Sequence, residues 1–373
     1  MFTKEKWIIS IFLIFIFGIA VINITTKDRI FSEQENRYLA QMPIFSIKSF
    51  FSGTFTKQFE EYMTDQFVWK STWLNIKAKA ERTILKQENN GIYFGKDGYL
   101  LERYKQPGNQ LQKNIERIND FSLRTGGNTY LLLAPTSTAI YKNKLPLYAP
   151  TYNQKQVLKE IKKKLSSTVK YLDVYDELVR TNESYIYFKT DHHWTMRGAF
   201  EAYLAIGKEI GFETYLKKDF NIQTVSKNFY GTYFSKVNAY SKSADYIEVF
   251  TPKFPMTYSV NYPDKNITVP TLFESSYLQK KDQYSYFLNG NHSLVKIKSS
   301  IKNGKRLAVI KDSYAHIFIP FLANHFEEID VIDLRYYHLS ISTYLKQNGI
   351  KDVLFLYNLV NFSTDTNLIW LAQ

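Results

Sequence analysis

The stretch KRLAVIKDSYAHIFIPFLANHFEEIDVIDLRYY, residues 305–337, contains the pattern that decides the fold class. Its first part, KRLAVIKDS (305–313), is a continuous apolar run that predicts a buried β-strand. The next part, YAHIFIPFLANHF, predicts a helix, and EEIDVIDLRYY predicts a second strand. Buried strands joined by a helix are the unit from which a parallel sheet covered on both faces is built.

The same alternation continues in both directions along the chain. The segments NQLQKNIERINDFSLRT, NQKQVLKEIKKKLSS, RGAFEAYLAIGKEIG and STYLKQNG predict helices. The segments TYLLLAP (129–135), VKYLDVYDEL and DVLFLYNLVN predict strands. Residues 213–297 are expected to form an irregular, β-leaning insert. The sequence therefore predicts an α/β fold, in which ligands bind at the loops beyond the carboxyl ends of the strands.

Those loops carry a chemically coherent set of side chains. Together they supply aspartate, histidine, serine, arginine and asparagine, which are the residue types needed for nucleophilic acyl transfer. The loops are PTST (135–138), TDHHWT (190–195), KDSYA (311–315), LRYYH (334–338) and YNLVN (357–361).

Ser313 is the candidate nucleophile. A serine hydroxyl is a poor nucleophile at neutral pH unless a base takes its proton and a third group orients that base. We expect Ser313 to end a strand and open a helix, where backbone N–H groups face a developing oxyanion. The alternative is that Ser313 only caps the helix, because Asp and Ser are common N-caps.

The segment KTDHHWTMRGAF (189–200) holds two of the six histidines. In an extended segment, residues two apart point the same way, so Asp191 can orient His193 as the base. His192 is then expected to point to the opposite side. The alternative is that Asp191 or Thr195 simply caps the helix that follows.

A metal site is the competing interpretation of this segment. Its ligands would be Asp191, His192 and His193, together with His316. Adjacent histidines on a strand point to opposite faces, and the sequence contains no H-x-x-x-H pattern. We therefore predict no metal at this position, and no cofactor.

Composition limits the classes of partner. The formal net charge of +13 implies anionic neighbours. The lysines are scattered and no nucleic-acid-binding motif is visible, so we predict that the protein does not bind nucleic acid. The absence of cysteine excludes disulfides, thiolate metal sites and cysteine nucleophiles.

The N-terminus predicts the compartment. WIISIFLIFIFGIAVINI, residues 7–24, is uncharged and follows Lys4 and Lys6. Its length approaches the ~20 apolar residues that a membrane-spanning helix needs. The alternative is a cleaved signal peptide, but the following NITTKDRIF lacks a small-x-small cleavage site. We predict an uncleaved signal anchor in the cell membrane, with the bulk of the protein on its extracytoplasmic side.

This interpretation divides the chain into three parts. Residues 1–26 are the predicted cytoplasmic tail and anchor, and residues 27–88 a helical linker region. Within the linker, FTKQFEEYMTDQFVWKSTWLNIKAKAERTIL has an approximate helical stripe that breaks near Asp65. Residues 89–373 are the predicted catalytic domain, which begins with a hairpin in NNGIYFGKDGYLLE (89–102).

Several of these motifs together resemble one family. The chain resembles the DHHW family, which is similar to the AlgX/AlgJ-type, SGNH-hydrolase-like polysaccharide O-acetyltransferases. The motifs also occur in the same order. They are FSEQENRYLAQMP (31–43), LLAPTSTAIYKNKLP (132–146), TDHHWTMRGAFEAY (190–203), YFLNGNHSLVKI (286–297) and VIKDSYAHIFIPFLANHFEEIDVIDLRYY (309–337).

The resemblance implies an SGNH-like α/β/α sandwich with a Ser–His–Asp triad. Ser313 corresponds to the nucleophile, His193 to the base and Asp191 to its orienting carboxylate. Their order in the chain reverses the usual SGNH order, which implies a circular permutation. The implied partners are a polysaccharide acceptor and a membrane-embedded acyltransferase that supplies the acetyl group.

The permutation also predicts where the oxyanion donors lie. LYNLVN corresponds to the SGNH asparagine segment, with Asn358 as the first candidate and Asn361 as the second. LRYY corresponds to the glycine segment and offers only backbone N–H groups. The expected glycine is absent there, and Lys311 replaces the glycine of a GDS motif.

NGNH (289–292) is an alternative source of a donor, or else a tight turn. The predicted oxyanion and substrate-binding residues are Asn358, Arg335, Tyr336 and Asn291.

Three functions remain open from the sequence. The leading hypothesis is an O-acetyltransferase that acts on a cell-envelope polysaccharide or exopolysaccharide. The second is a carbohydrate acetylesterase, in which water replaces the sugar hydroxyl. The third is a polysaccharide-binding or assembly protein without catalytic activity on the same fold.

Overall fold

The computed structural model describes residues 3–32, 37–83, 86–237 and 244–372. The chain divides into two compact units, one of residues 1–86 with 235–240 and the other of residues 87–234 with 241–373. The strands are β1 Phe31–Ser32, β2 Arg37–Tyr38, β3 Glu88–Asn89, β4 Ile92–Phe94, β5 Leu100–Glu102, β6 Asn128–Ala134, β7 Val169–Leu172, β8 Phe220–Phe229, β9 Asp245–Pro252, β10 Tyr258–Tyr262, β11 Ile267–Val269, β12 Leu294–Ser299, β13 Arg306–Lys311, β14 Glu328–Ile332 and β15 Asp352–Asn358. The α-helices are α1 Lys4–Thr25, α2 Ile47–Phe51, α3 Thr54–Gln66, α4 Lys70–Thr83, α5 Asn109–Thr125, α6 Ser137–Ile140, α7 Gln154–Lys164, α8 Tyr175–Arg180, α9 Met196–Ile210, α10 Thr232–Val237, α11 Ile319–Leu322, α12 Ile341–Gln347 and α13 Leu359–Thr364.

The first unit is helical. Its α1 has 22 residues and is apolar enough to cross a membrane by length and composition. The predicted amphipathic run forms α3 and α4, and the chain turns between them at Trp69, whose φ is 54°. Asp65 is buried beside this break and accepts hydrogen bonds from Arg37 at 2.5 and 2.7 Å and from Lys70 at 3.1 Å. These contacts stabilise the turn between α3 and α4. The sequence predicted a break in the helical stripe near this position.

The second unit is built on an eight-stranded sheet of order β11-β10-β12-β14-β13-β15-β6-β7. Five neighbouring strands of this sheet, β14, β13, β15, β6 and β7, pair in parallel, as the strand–helix alternation predicts. The strands β12, β10 and β11 extend this sheet in antiparallel fashion. The prediction of an irregular insert over 213–297 was wrong at this point, because β10, β11 and the start of β12 belong to the main sheet.

The centre of the sheet is covered on both faces. Every residue from Val353 to Asn358 in β15 is buried, although successive side chains point to opposite faces. On one face, the ring of Phe121 from α5 lies 5.4 Å from the ring of Phe355, edge to face. Continuous burial of this kind is typical of parallel strands.

The register brings the carboxyl ends of three neighbouring strands to one level. Lys311 in β13 pairs with Leu356 in β15, so Ser313 and Asn358 each lie two residues beyond a paired position. Ile310 pairs with Ile332 in β14, so Ser313 and Arg335 each lie three residues beyond one. The loops that the sequence selected therefore meet at one edge of the sheet.

Two predicted elements differ from the structure. Only Val169–Leu172 of the predicted strand VKYLDVYDEL is extended, and Tyr175–Arg180 is helical. The predicted helix YAHIFIPFLANHF is instead a 3₁₀ turn, Ser313–Ala315, followed by the short α11. Pro320 lies in the first turn of α11, where its missing N–H is tolerated, but it prevents a continuous helix from Ser313.

The helix α9 begins in close contact with the segment before it. The Thr195 side chain caps α9 by accepting from the Gly198 N–H at 3.3 Å, and it donates to the Tyr185 carbonyl at 2.6 Å. A Cβ atom on Gly198 would lie 2.2 Å from the Ile186 carbonyl oxygen. Only glycine allows the backbones to approach this closely.

We predict that Gly198→Ala destabilises the second unit by about 1–3 kcal/mol, because the added methyl group collides with backbone that cannot rotate away. The measurement is the free energy of unfolding by chemical denaturation. Gly108→Ala is the matched control, since a Cβ there meets nothing within 4 Å, and it should cost no more than about 1 kcal/mol. Equal losses in both variants would contradict the packing argument.

Candidate active site

Three side chains from two distant segments form a continuous hydrogen-bonded chain. His193 Nε2 lies 2.7 Å from Ser313 Oγ, and His193 Nδ1 lies 2.5 Å from Asp191 Oδ1. Asp191 and His193 are buried, whereas Ser313 is half-buried. This is the geometry in which an imidazole can take a proton from a hydroxyl while a carboxylate holds its tautomer.

Asp191 is held by a segment that lies far away in the sequence. Its Oδ2 accepts from the Thr232 N–H at 2.7 Å and from the Thr232 hydroxyl at 2.9 Å, while its Oδ1 also accepts from the His193 N–H at 3.0 Å. Burial raises the pKa of Asp191, but the adjacent imidazoles and these hydrogen bonds outweigh burial and hold it well below its ordinary value. A Cβ on Gly231 would lie 2.2 Å from Asp191 Cβ, so only glycine fits there.

A second buried carboxylate shapes the loop that carries the base. Asp245 accepts from the backbone N–H groups of Lys189 and Thr190 at 2.7 Å each. It also accepts from the Thr190 hydroxyl at 2.6 Å and the Tyr185 hydroxyl at 2.5 Å. With both carboxylate oxygens engaged, Asp245 fixes the start of the loop, from which Asp191 then projects.

The ring of Tyr284 lies flat on the His193 imidazole. The ring centroids are 3.6 Å apart and the planes differ by 6°. The Tyr284 hydroxyl donates to the Ser313 carbonyl at 2.9 Å, and burial raises its pKa well above the ordinary value. Tyr284 therefore contacts both the base and the backbone of the candidate nucleophile.

The prediction for His192 was wrong. Its ring centroid lies 3.7 Å from that of His193, so the two rings are neighbours rather than on opposite faces. The reason is that the chain reverses here: Tyr187 and Trp194 form an antiparallel bridge, and residues 189–193 between them form bends without strand alternation. Burial and the adjacent His193 lower the pKa of His192 to about 4.

The same geometry also bears against a metal site formed by these residues. Ligand atoms of Asp191, His192 and His193 lie within 4.8 Å of one another. However, both nitrogens of His193 already have partners in the hydrogen-bonded chain, and His316 Nε2 is turned to Lys311 at 2.7 Å. A metal would have to break the bond between His193 and Asp191, so these residues fit a proton relay better than a metal centre.

The predicted asparagine donors are largely occupied. Asn358 Nδ2 and Asn361 Nδ2 donate to Asp312 Oδ2 at 2.9 and 3.0 Å, and Asn358 is buried. Asp312 in turn accepts from the Tyr314 N–H, although burial raises its pKa. Asn358 keeps one amide hydrogen beyond this contact. Within the described ranges, no hydrogen bond from the Ser313 backbone N–H is formed.

The backbone donors predicted in LRYY were assigned wrongly. The Arg335 N–H donates to Asp333 Oδ1 at 3.1 Å, and the Tyr336 N–H donates to the Asp333 carbonyl at 3.0 Å. Both groups close the turn after β14 and are not free for a substrate. Asn291 does reach this turn, because its Oδ1 accepts from Arg335 Nη2 at 2.9 Å.

A buried charge network lies behind the nucleophile. Lys311 Nζ donates to Asp333 Oδ2 at 2.6 Å, and the Arg335 Nε and Nη2 atoms donate to the same carboxylate at 2.9 and 2.6 Å. Burial raises the pKa of Asp333, but the two cations outweigh burial and lower it to about 2. Lys311 thus occupies the position of the missing glycine as the buried partner of Asp333.

Several residues of the site carried little signal in the sequence. Tyr284 lies in the Tyr-rich region 213–297, where nothing distinguishes it from its neighbours. Gly231 and Thr232 stand in a tract with no apparent strand or helix pattern. Asp245 is an isolated acidic residue. All four act through contacts that depend on distant parts of the chain.

Fold and site together define an α/β protein with a serine–histidine–aspartate constellation at the carboxyl edge of a largely parallel sheet. A model of the DHHW protein family matches residues 119–332, which is more than half of the chain. The chain therefore belongs to the DHHW family, as its sequence motifs predicted. None of the curated proteins compared with the chain matches it.

Solved structures agree with this assignment. A DHHW family protein from Eubacterium siraeum is 25% identical, with a TM-score of 0.66, and the match covers 75% of this chain and 94% of that one. PatB1 from Bacillus cereus is 26% identical, with a TM-score of 0.62 and coverage of 73% and 97%; it has also been solved with a sulfonyl adduct. The O-acetyltransferase domain of AlgJ from Pseudomonas putida is more distant, at 13% identity, a TM-score of 0.46 and coverage of 74% and 93%.

The Asp333 network predicts a specific acid sensitivity. A carboxyl whose folded pKa is depressed stabilises the fold above its unfolded pKa and loses that effect as the pH falls. The shift from 3.8 to about 2 corresponds to about 2 kcal/mol, present above pH ~4 and lost toward pH ~2. In Asp333→Asn, the unfolding free energy should fall about 2 kcal/mol less over this interval than in the wild type.

The same variant should also be less stable at neutral pH, because Lys311 loses its buried counter-charge. Unfolding free energies measured at several pH values test both effects. The exposed Asp120→Asn serves as the control and should keep the wild-type pH dependence. An unchanged acid slope in Asp333→Asn would contradict the assigned network.

Proposed function

We propose that the protein is an extracytoplasmic O-acetyltransferase that moves acetyl groups onto hydroxyls of a cell-envelope polysaccharide or exopolysaccharide. The observation that carries this proposal is the hydrogen-bonded chain from Ser313 through His193 to Asp191 at the carboxyl ends of the strands. Membership of the DHHW family, which resembles the AlgX/AlgJ-type acetyltransferases, supports the choice of reaction.

We further propose that the sheet is a circularly permuted SGNH-type sheet. When strands are counted from β13 and continue from β15 to β6, the order β14-β13-β15-β6-β7 becomes 2-1-3-4-5. This is a doubly wound order, and its switch point lies between β13 and β15. Ser313 and Asn358 follow these two strands, where a ligand is expected to bind.

In the first half-reaction, His193 Nε2 takes the Ser313 Oγ proton as Oγ attacks the acetyl carbonyl carbon. The imidazolium that forms is stabilised by the ionised Asp191 and, through a cation–π interaction, by the face of the Tyr284 ring. His193 then returns the proton to the leaving group of the donor. The product is an acetyl ester on Ser313.

The oxyanion of the tetrahedral intermediate needs N–H donors close to Ser313. The Ser313 backbone N–H and the second amide hydrogen of Asn358 are the candidates, because both lie on neighbouring strand ends. Asp312 orients the Asn358 amide through the hydrogen bond described above. In this proposal, Asp312 is a positioning residue.

In the second half-reaction, a sugar hydroxyl replaces the donor. His193 takes the proton of this hydroxyl while the sugar oxygen attacks the acetyl carbon, and Ser313 leaves with the proton that His193 returns. The acetyl group passes to the sugar and the enzyme is regenerated. A membrane-embedded acyltransferase is the proposed acetyl supplier, and α1 would hold the protein beside it.

The first test is acetyl transfer by the full chain purified in detergent. With p-nitrophenyl acetate as donor, the wild type should form a covalent acetyl-enzyme, and Ser313→Ala should lower nitrophenol release by ~10³-fold or more. Ser122→Ala, a buried serine on α5 outside the loops that form the site, is the matched control. Nitrophenol release that persists in Ser313→Ala would exclude the proposed nucleophile.

Mass spectrometry of an added oligosaccharide separates the competing functions. Acetyl found on the sugar supports transfer, whereas acetate release without acetyl-sugar supports the esterase. If the wild type never acquires an acetyl group, the non-catalytic polysaccharide-binding function is favoured instead.

The support of Asp191 generates a second prediction. Gly231→Ala should slow labelling of Ser313 by a sulfonyl fluoride by about 100-fold, because the new methyl group displaces Asp191 and misaligns His193. The reagent follows from the sulfonyl adduct of PatB1. Gly108→Ala should label at the wild-type rate. Rapid labelling of Gly231→Ala, with its fold intact by circular dichroism, would contradict the role of Asp191.

A further inference from the structure

The guanidinium of Arg335 is held rigidly, with one side left open. Its Nε and Nη2 atoms form a two-pronged contact with the Asp333 carboxylate, and Nη2 also donates to Asn291 Oδ1. In the described part of the chain, Nη1 has no hydrogen-bond partner. About 36% of the Arg335 side chain is exposed. The side chain therefore presents a pre-oriented pair of N–H donors to solvent.

This arrangement is more elaborate than an ordinary surface salt bridge. Asp333 is buried and is itself held by Lys311, which is also buried. Lys311 and Arg335 thus both contact the Asp333 carboxylate, which fixes the orientation of the guanidinium. A fixed guanidinium with an open edge favours an anionic ligand such as a carboxylate or a phosphate.

The position of Arg335 places this charge beside the reacting serine. Arg335 and Ser313 follow neighbouring parallel strands and lie equally far beyond the paired residues Ile310 and Ile332. Adjacent strands are ~4.8 Å apart, so their loops emerge side by side at the same edge. A molecule that reacts at Ser313 comes within reach of a long side chain on the next loop.

An exposed aromatic ring lies next to the guanidinium. The Tyr336 side chain is 53% exposed, and its ring centroid is 5.4 Å from the Arg335 guanidinium carbon. A flat apolar face with a hydroxyl tip suits contact with a sugar ring. The turn after β14 therefore combines a cation for an anionic group with an aromatic surface for a sugar.

We propose that Arg335 binds a negatively charged group, a carboxylate or a phosphate, on the acceptor polysaccharide. This inference rests on the proposed acetyltransferase function and specifies its substrate class. Asn291 and Asp333 are the positioning residues that hold the guanidinium, and Tyr336 contacts the sugar that carries the charge. The site thereby selects an anionic acceptor over a neutral one.

The experiment compares acceptors that differ only in charge. The full chain in detergent receives p-nitrophenyl acetate as donor, with either a galacturonate oligomer or its fully methyl-esterified, neutral form as acceptor. The readout is the ratio of kcat/KM for acetyl transfer to the two acceptors. The wild type should prefer the charged oligomer, and Arg335→Gln should reduce this ratio about 10- to 100-fold, as loss of a charge-assisted contact predicts.

Arg306→Gln is the matched control for net charge. Arg306 lies at the opposite end of β13, where it pairs with Glu328 at 3.3 Å. This variant removes the same charge from the other edge of the same sheet and should keep the wild-type ratio. A parallel pair of acceptors, a phosphorylated maltooligosaccharide and its unphosphorylated form, shows whether the recognised anion is a phosphate. Preference for either anionic acceptor supports the proposal.

Asn291→Asp tests the same site without disturbing buried groups. Asn291 is exposed, and the new carboxylate would compete with the substrate for the guanidinium, so the ratio should fall again. Equal ratios in wild type and Arg335→Gln, or an equal fall in Arg306→Gln, would overturn the proposal.

Binding of the galacturonate and phosphorylated oligomers, measured by calorimetry without an acetyl donor, tests the anion site separately from the acetyltransferase activity. If transfer fails but Arg335→Gln still weakens binding of an anionic oligomer at least tenfold, the acetyltransferase proposal falls while the anion site stands. If the wild type binds charged and neutral oligomers equally, the anion site falls, whatever the outcome of the transfer assay.

Discussion

The structure of the site depends on one buried carboxylate, that of Asp191. One of its oxygens holds both the imidazole and the backbone of His193, and the other holds Thr232, 41 residues further along the chain. Burial alone would favour the neutral acid, but the surrounding donors keep the group ionised. The same interaction therefore closes the loop, fixes the imidazole and maintains the negative charge that a base of this kind needs.

A second set of charges supports the other half of the site. Lys311, Asp333 and Arg335 connect the strand that carries Ser313 to the loop of the neighbouring strand. A glycine at position 311 could not make this connection, so the departure from the GDS pattern has a structural explanation. On the other side, Asp312 ties the same turn to Asn358 on β15. The serine is thus held between two networks that belong to different neighbours in the sheet.

Much of the fold and the identity of the central residues followed from the sequence. Apolar strands, intervening helices and the rule for parallel sheets were enough to select the loops that hold Ser313, His193 and Asp191, and the structure brings these three together. Their catalytic roles remain a proposal. The local geometry was less predictable: strand alternation gave the wrong side for His192, because the chain reverses between Tyr187 and Trp194. A continuous helix after Ser313 was also wrong, since Pro320 limits it.

The sequence by itself determined the α/β class, the apolar N-terminal helix, the family and the three residues of the hydrogen-bonded chain. Each of these could be predicted because it is marked by the hydrophobic period or the residue types of short segments, although the contact between His193 and Ser313 itself spans 120 residues. Only the tertiary structure decided that Tyr284 lies against His193, that Gly231 must leave room for Asp191, and that Arg335 is held open beside Ser313. Such contacts join segments tens of residues apart, and their distances depend on how the whole sheet is packed and paired.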